Sequence, residues 1–158
     1  MGDIRLEAGE VAPAFTLQDQ DGASVSLGDF AGTKTIVYFY PAASTPGCTK
    51  EACDFRDNIN SLKSAGYQVL GVSKDGLPAL KQFQAEQGLN FPLLSDPDLI
   101  VHKKYGAYGE KSLYGKTVVG TIRSTFVVSG DGRVELPLYN VKATGHVASL
   151  RKKLGLDK

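Results

Sequence analysis

Residues 35–40, Thr-Ile-Val-Tyr-Phe-Tyr, form an almost unbroken β-branched and aromatic run with no polar alternation. Such a run predicts a strand buried on both faces, as at the centre of an α/β sheet. Downstream the period changes. Between 46 and 65 the apolar residues Ala52, Phe55, Ile59 and Leu62 recur at spacings of three and four, and Gly66 stands where a helix stops. The segment 68–73 repeats the buried-strand pattern, and 77–87 reads as a second helix with Pro78 in its first turn and Gly88 at its end. A short strand at 91–94 and a short helix at 98–104 follow. Strands at 124–128 and 134–138 flank the hairpin signal Gly130-Asp131-Gly132, and 146–154 is a closing helix. Ahead of all these, 14–19 alternates like a strand, Asp21-Gly22 marks a turn and 25–27 supplies a partner, with a turn or short helix at 29–32.

This order predicts a three-layer α/β sandwich with a mixed central sheet, parallel first and antiparallel at the end. A thioredoxin-like fold with an added N-terminal β-hairpin fits it. With 158 residues and no repeat, linker or low-complexity tract, one domain over 1–158 is expected.

Composition narrows the partners. The hydrophobic fraction is 42% and the charged fraction 22%, ordinary for a globular protein. Eighteen basic and seventeen acidic residues leave a formal charge of +1. The nearest thing to a basic block, Arg151-Lys152-Lys153, falls in the closing helix, where cations complement the dipole, so no nucleic-acid partner is expected. No segment approaches the roughly 18 apolar residues that span a membrane. Residues 1–6 lack the apolar core of a signal peptide, and Leu6 stands where myristoylation needs Ser or Thr. The expectation is a cytoplasmic protein without a membrane partner. There, two cysteines close in sequence point to metal binding or redox catalysis rather than a structural disulfide.

The informative stretch is 40–53, Tyr-Pro-Ala-Ala-Ser-Thr-Pro-Gly-Cys-Thr-Lys-Glu-Ala-Cys. It leaves the central strand and opens a helix, where α/β folds place their ligands. Thr45 suits the N-cap and Pro46 the first helical position, which puts Cys48 in the first turn. A thiolate there faces open backbone N–H groups and the positive end of the dipole, both of which favour the attacking form. A buried small hydrophobe at a helix start is the bland alternative. Cys53 lies five residues on, which on one helix means about 140° of rotation and roughly 8–9 Å between Cα atoms. A disulfide needs about 7 Å or less, so these two can bond only if the first turns unwind. The spacing is not the C-x-x-C of dithiol oxidoreductases or zinc knuckles, and His102 and His146 sit at no ligand spacing, so no metal is expected.

Pro41-x-x-x-Thr45-x-x-Cys48 resembles the active-site signature of peroxiredoxins, and 38–57, YFYPAASTPGCTKEACDFRD, resembles the bacterioferritin-comigratory (PrxQ) subfamily closely. The similarity extends to Gly9-Glu10-Val11-Ala12-Pro13-Ala14-Phe15, Phe91-Pro92-Leu93-Leu94-Ser95-Asp96, Tyr114-Gly115-Lys116 and Arg123-Ser124-Thr125-Phe126, nearly the whole chain. The resemblance implies a thioredoxin fold, a peroxidatic Cys48 and a resolving Cys53. It also implies that Arg123 joins Pro41 and Thr45 around a hydroperoxide, with Glu51 matching a frequent acid that orients Arg123 or the helix start. By local pattern alone Arg123 is a surface cation and Pro41 a strand terminator; the signature reverses both. It further implies a thioredoxin or similar dithiol reductant, no flavin, haem or metal cofactor, and a monomer.

The chemistry suits these residue types. Charge grows on the departing oxygen as a thiolate cleaves a peroxide, and Arg123, the Thr45 hydroxyl and first-turn amides would stabilise it. Two rivals share the thiol: a thiol–disulfide oxidoreductase acting on proteins, against which the missing C-x-x-C counts, and a redox sensor relaying oxidation to a partner, which turnover would distinguish. The segment 109–117 mimics a P-loop but has five residues between its glycines where four are required. It is expected to be a loop leading toward the arginine strand.

Overall fold

The computed structural model describes residues 5–113 and 115–157. The sequence readings of residues 1–4 and of Tyr114 lie outside the described residues. The opening hairpin forms: β1 (Thr16–Asp19) pairs antiparallel with β2 (Ser24–Ser26), and a 3-10 turn over Leu27–Phe30 follows. Then come β3 (Lys34–Phe39), α1 (Pro46–Ser64), β4 (Tyr67–Ser73), α2 (Leu77–Gln87), β5 (Leu93–Ser95) and α3 (Ile100–Lys104). The chain continues through β6 (Tyr108–Leu113), β7 (Lys116–Thr121), β8 (Ser124–Val128), β9 (Val134–Leu138) and α4 (His146–Lys153).

Seven strands form one mixed sheet in the order β2-β1-β5-β4-β3-β8-β9. β3, β4 and β5 run parallel, while β8 and β9 extend one side antiparallel. β1 pairs antiparallel with β5 on the other side, so the N-terminal hairpin is part of the main sheet. Two short elements start later than the sequence suggests. β5 begins after Pro92, which has no N–H for the ladder, although its carbonyl accepts the Gly71 N–H at 3.1 Å. α3 begins after Leu99, whose backbone is left-handed (φ 61), and the Asp96 carboxylate takes the amides of Val101 and His102.

β3 explains why its run has no wet face. Ile36, Tyr38 and Tyr40 enter one core with Phe55, Ile59 and Leu62 of α1, Phe83 of α2 and Leu150 of α4. Val37 and Phe39 enter the other, with Val101, Tyr105 and Phe126. Tyr38 stacks on Phe55 with centroids 4.6 Å apart, and Gly71 lies tightly against the same ring, where a Cβ at 3.1 Å would push the tyrosine aside by a few tenths of an ångström. Burial of each large side chain in the α1 stripe contributes about 1.5–3 kcal/mol, and truncating Phe55 to Ala would cost about 3–5 kcal/mol.

One expectation fails. The segment 109–117 is not a loop: β6 and β7 pair antiparallel, with Leu113 opposite Lys116 and Gly115 at φ 77 in the turn. Because this ribbon lies outside the seven-stranded sheet, most of β7 is exposed or half-exposed, so no buried face writes an apolar period into its sequence.

Candidate active site

Strand pairing reaches Tyr40, whose N–H donates to Val72 O at 3.1 Å, and half-buried Pro41 then ends it. Thr45 has the extended backbone of an N-cap (φ −85, ψ 155), and Pro46 occupies the start of α1. Cys48 therefore lies in the first turn, only 2% exposed. Thr45 holds the cap position but its side chain does not cap. The hydroxyl donates instead to Ala42 O at 2.8 Å, and among the described residues no side chain caps the first turn. The hydroxyl's donor is thus used within the loop, while its lone pairs and the uncapped amides of the first turn have no side-chain partner among the described residues.

Arg123 precedes β8 and its carbonyl accepts the Val141 N–H at 2.9 Å. Its guanidinium spans two α1 residues: Nη2 is 3.5 Å from Cys48 Sγ, and Nη1 donates to Glu51 Oε1 at 2.7 Å. Gly47 lies against it: a Cβ there would come into ordinary contact with Nη2 at 3.4 Å and with Ala143 at 3.5 Å. Burial pushes the Glu51 carboxyl up to about 7 despite the opposing pull of Arg123. Burial also pulls the guanidinium downward, but Glu51 and then Cys48 outweigh it, so Arg123 ends above its ordinary value. The side chain of Arg123 keeps 17% of its surface and that of Glu51 none, so the desolvation cost falls on the acid and the cation is the secure charge.

Cys53 is half-buried in mid-helix, and its thiol donates weakly to Gln87 Oε1 at 3.5 Å. Both cysteines are free thiols. Neither histidine joins them. His102 Nδ1 is 2.7 Å from Asp96 Oδ2 on the Phe39 side of the sheet. His146 Nε2 is 2.8 Å from Thr125 Oγ1, beside Phe55 on the other side.

The structure thus brings Cys48, Glu51 and Arg123 together and places Thr45 and Pro41 on the loop that leads to them. Two neighbours had no sequence signal of their own. Lys111, on the unforeseen ribbon, donates from Nζ to Thr121 O at 2.7 Å. Burial and then the Arg123 charge hold it below the usual lysine range, while Cys48 acts the other way. Asp75, between β4 and α2, accepts the Ala43 N–H at 2.7 Å.

A thioredoxin fold whose first helix opens on a buried cysteine beneath an arginine defines a class of thiol-based redox proteins. The sequence model of the AhpC/TSA family matches residues 8–136. A relative in Mycobacterium tuberculosis is 61% identical over 152 residues, covering 96% of this chain and 97% of its own length. Peroxiredoxin Bcp of Escherichia coli is 48% identical over 141 residues, covering 89% and 90%. The Xanthomonas campestris bacterioferritin comigratory protein, studied for alkyl peroxide reduction, superposes with a TM-score of 0.86 at 37% identity, over 94% of this chain and 98% of that one. The chain belongs to the AhpC/TSA family, as a peroxiredoxin of the bacterioferritin-comigratory (PrxQ) subfamily.

Proposed function

We propose that Cys48 is the peroxidatic cysteine of a thiol-dependent peroxidase acting on hydrogen peroxide and organic hydroperoxides, with Cys53 as its resolving partner. The observation that carries this reading is the Arg123 guanidinium, 3.5 Å from Cys48 Sγ and fixed from behind by Glu51 at 2.7 Å. It supplies a held cation beside both the attacking sulfur and the bond that breaks. Alkyl peroxide reduction in the Xanthomonas relative supports the substrate class.

In the first step the Cys48 thiolate attacks the terminal oxygen of ROOH, the O–O bond breaks, and the alkoxide leaves to take up a proton as ROH. Cys48 becomes a sulfenic acid. Arg123 and the first-turn amides meet the charge on the departing oxygen, Thr45 offers its lone pairs to the peroxide hydroxyl, and Pro41 limits water. In the second step the Cys53 thiolate attacks the Cys48 sulfur, a disulfide forms and water leaves. That requires α1 to unwind around 48–53, because a continuous helix keeps the two Cα atoms roughly 8–9 Å apart. A dithiol of the thioredoxin type then reduces the disulfide by exchange, becoming a disulfide itself. Both cysteines lie on one helix, so one chain in a reducing cytoplasm suffices.

The test is a coupled peroxidase assay with hydrogen peroxide, cumene hydroperoxide and tert-butyl hydroperoxide, each with thioredoxin and with glutaredoxin as electron donor. Sustained turnover with the thioredoxin system is expected. Single-hit oxidation without turnover by either donor would overturn the enzyme reading and favour a sensor.

A further inference from the structure

The loop that carries Cys48 to its site leaves β3 at Pro41 and enters α1 at Pro46. Ser44 within it lies at φ 63, a left-handed backbone that a residue with a Cβ enters only under constraint. Within the loop the Thr45 hydroxyl brackets Ser44 by donating to Ala42 O at 2.8 Å, and a second tie comes from outside. Asp75, between β4 and α2, accepts the Ala43 N–H at 2.7 Å and the Ser73 hydroxyl at 2.8 Å, both on Oδ2. Its own backbone is anchored in turn. The Ser95 hydroxyl of β5 donates to Asp75 O at 2.6 Å, and the Asp75 N–H donates to Ser73 Oγ at 3.2 Å. Ser73 is fully buried, and its carbonyl accepts the Asp96 N–H at 2.8 Å. The ends of β4 and β5 thus fix the carboxylate before it reaches the loop.

We infer that Asp75 is a positioning residue that latches the catalytic loop, setting the balance between the folded site that meets peroxide and the unwound one that meets Cys53. This rests on the roles proposed above for Cys48 and Cys53. Unwinding the first turn of α1 breaks the bond from Thr49 N–H to Thr45 O, 2.8 Å in the folded helix, and shifts Thr45 with the covalently joined loop, which resists while Ala43 is held. A hydrogen bond to a carboxylate is among the stronger kinds. In the latched state a second peroxide converts Cys48–SO⁻ and ROOH into Cys48–SO₂⁻ and ROH. In the open state Cys48–SOH and Cys53–SH give the disulfide and water. A looser latch slows the first oxidation and diverts the sulfenic acid toward the disulfide.

The experiment exposes reduced wild type, Asp75→Ala, Asp75→Asn and Ser73→Ala to graded hydrogen peroxide without reductant, then alkylates and weighs the products. Asp75→Ala should need roughly tenfold more peroxide to reach half sulfinic acid, whereas Asp75→Asn, which keeps an acceptor oxygen, should stay within about threefold of wild type. An unchanged or lower threshold in Asp75→Ala overturns the latch. Amide exchange in the reduced proteins gives a readout independent of Cys53: residues 43–49 should exchange faster in Asp75→Ala while β4 stays protected. If wild type forms no Cys48–Cys53 disulfide, the resolving reading fails, and unchanged protection at 43–49 separately overturns the latch. If Asp75→Ala does not fold, Ser73→Ala should move the exchange and the threshold in the same directions by less, and no shift in either overturns the inference.

Discussion

The two cysteines share a helix and have opposite surroundings. Cys48 is buried at the first turn of α1, beneath a guanidinium delivered from the β7–β8 junction and just after a loop tied to Asp75 beyond β4. Cys53, five residues later, is half-buried in mid-helix with one weak contact to the neutral amide of Gln87. Under the roles proposed for them, the difference teaches that a nucleophile is built from several parts of the chain, whereas a resolving partner needs only the right distance along a helix that can open.

Replacing each cysteine tests that contrast most directly. Cys48→Ser should lower peroxide consumption by at least about 10³-fold, since the only attacking atom is gone. Cys53→Ser should complete its first oxidation within about threefold of the wild-type rate and stop there, leaving a sulfenic acid that a dimedone probe captures by mass. Full cycling of Cys53→Ser with thioredoxin would erase the division of labour. Next in size comes the cation. Arg123→Met should slow Cys48 oxidation about 10²–10³-fold in stopped-flow measurements, while reduction of the preformed disulfide by thioredoxin stays near the wild-type rate. Arg123→Lys keeps the charge but cannot reach both Sγ and Glu51 with a planar fork, so it should recover only part of the loss. An equal loss in both half-reactions would mean that Arg123 supports the fold rather than the site.

What was legible in the sequence follows the same division. The run at 35–40 announced a central strand because both its faces are buried, and the stripe at 52, 55, 59 and 62 announced α1 because one face is. Among the described residues no side chain of the β6–β7 ribbon joins either core, so it left no period to find, and Lys111 was hidden with it. Cys48 could be read from its place at a helix start, a local property. Arg123 could not, because 75 residues separate it from the sulfur and its neighbours in sequence say nothing of that contact; only the family signature brought it forward. Thr45 shows a finer limit. Its residue type fits a cap, but the hydroxyl turns to Ala42, a choice made by the loop geometry.

The smallest predicted effects concern pH, and they test how each half of α1 is anchored. Burial raises Glu51, beneath the Cys48 end, from 4.5 to about 7. Its folded state therefore binds a proton more readily than the unfolded chain, and its contribution to stability, full below about pH 4.5, is lost as pH rises toward 7. Burial, helped by repulsion from the charges of Lys153 and Arg123, lowers His146, which packs on Phe55, from 6.5 to about 4. Its contribution is full above about pH 6.5 and is lost as pH falls toward 4. Each group alone would tilt stability by at most about 1.4 kcal/mol per pH unit, in opposite senses, so between pH 4.5 and 6.5 the two largely offset. Urea unfolding of wild type should therefore show a shallow pH dependence from these groups, with each replacement unmasking the other. Glu51→Gln should gain stability as pH rises through this window, and His146→Leu should lose it. Parallel curves for the two variants would mean that one of these anchors does not titrate as its surroundings dictate, and Glu51, whose burial works against an ion pair, is the one such a result would reassign.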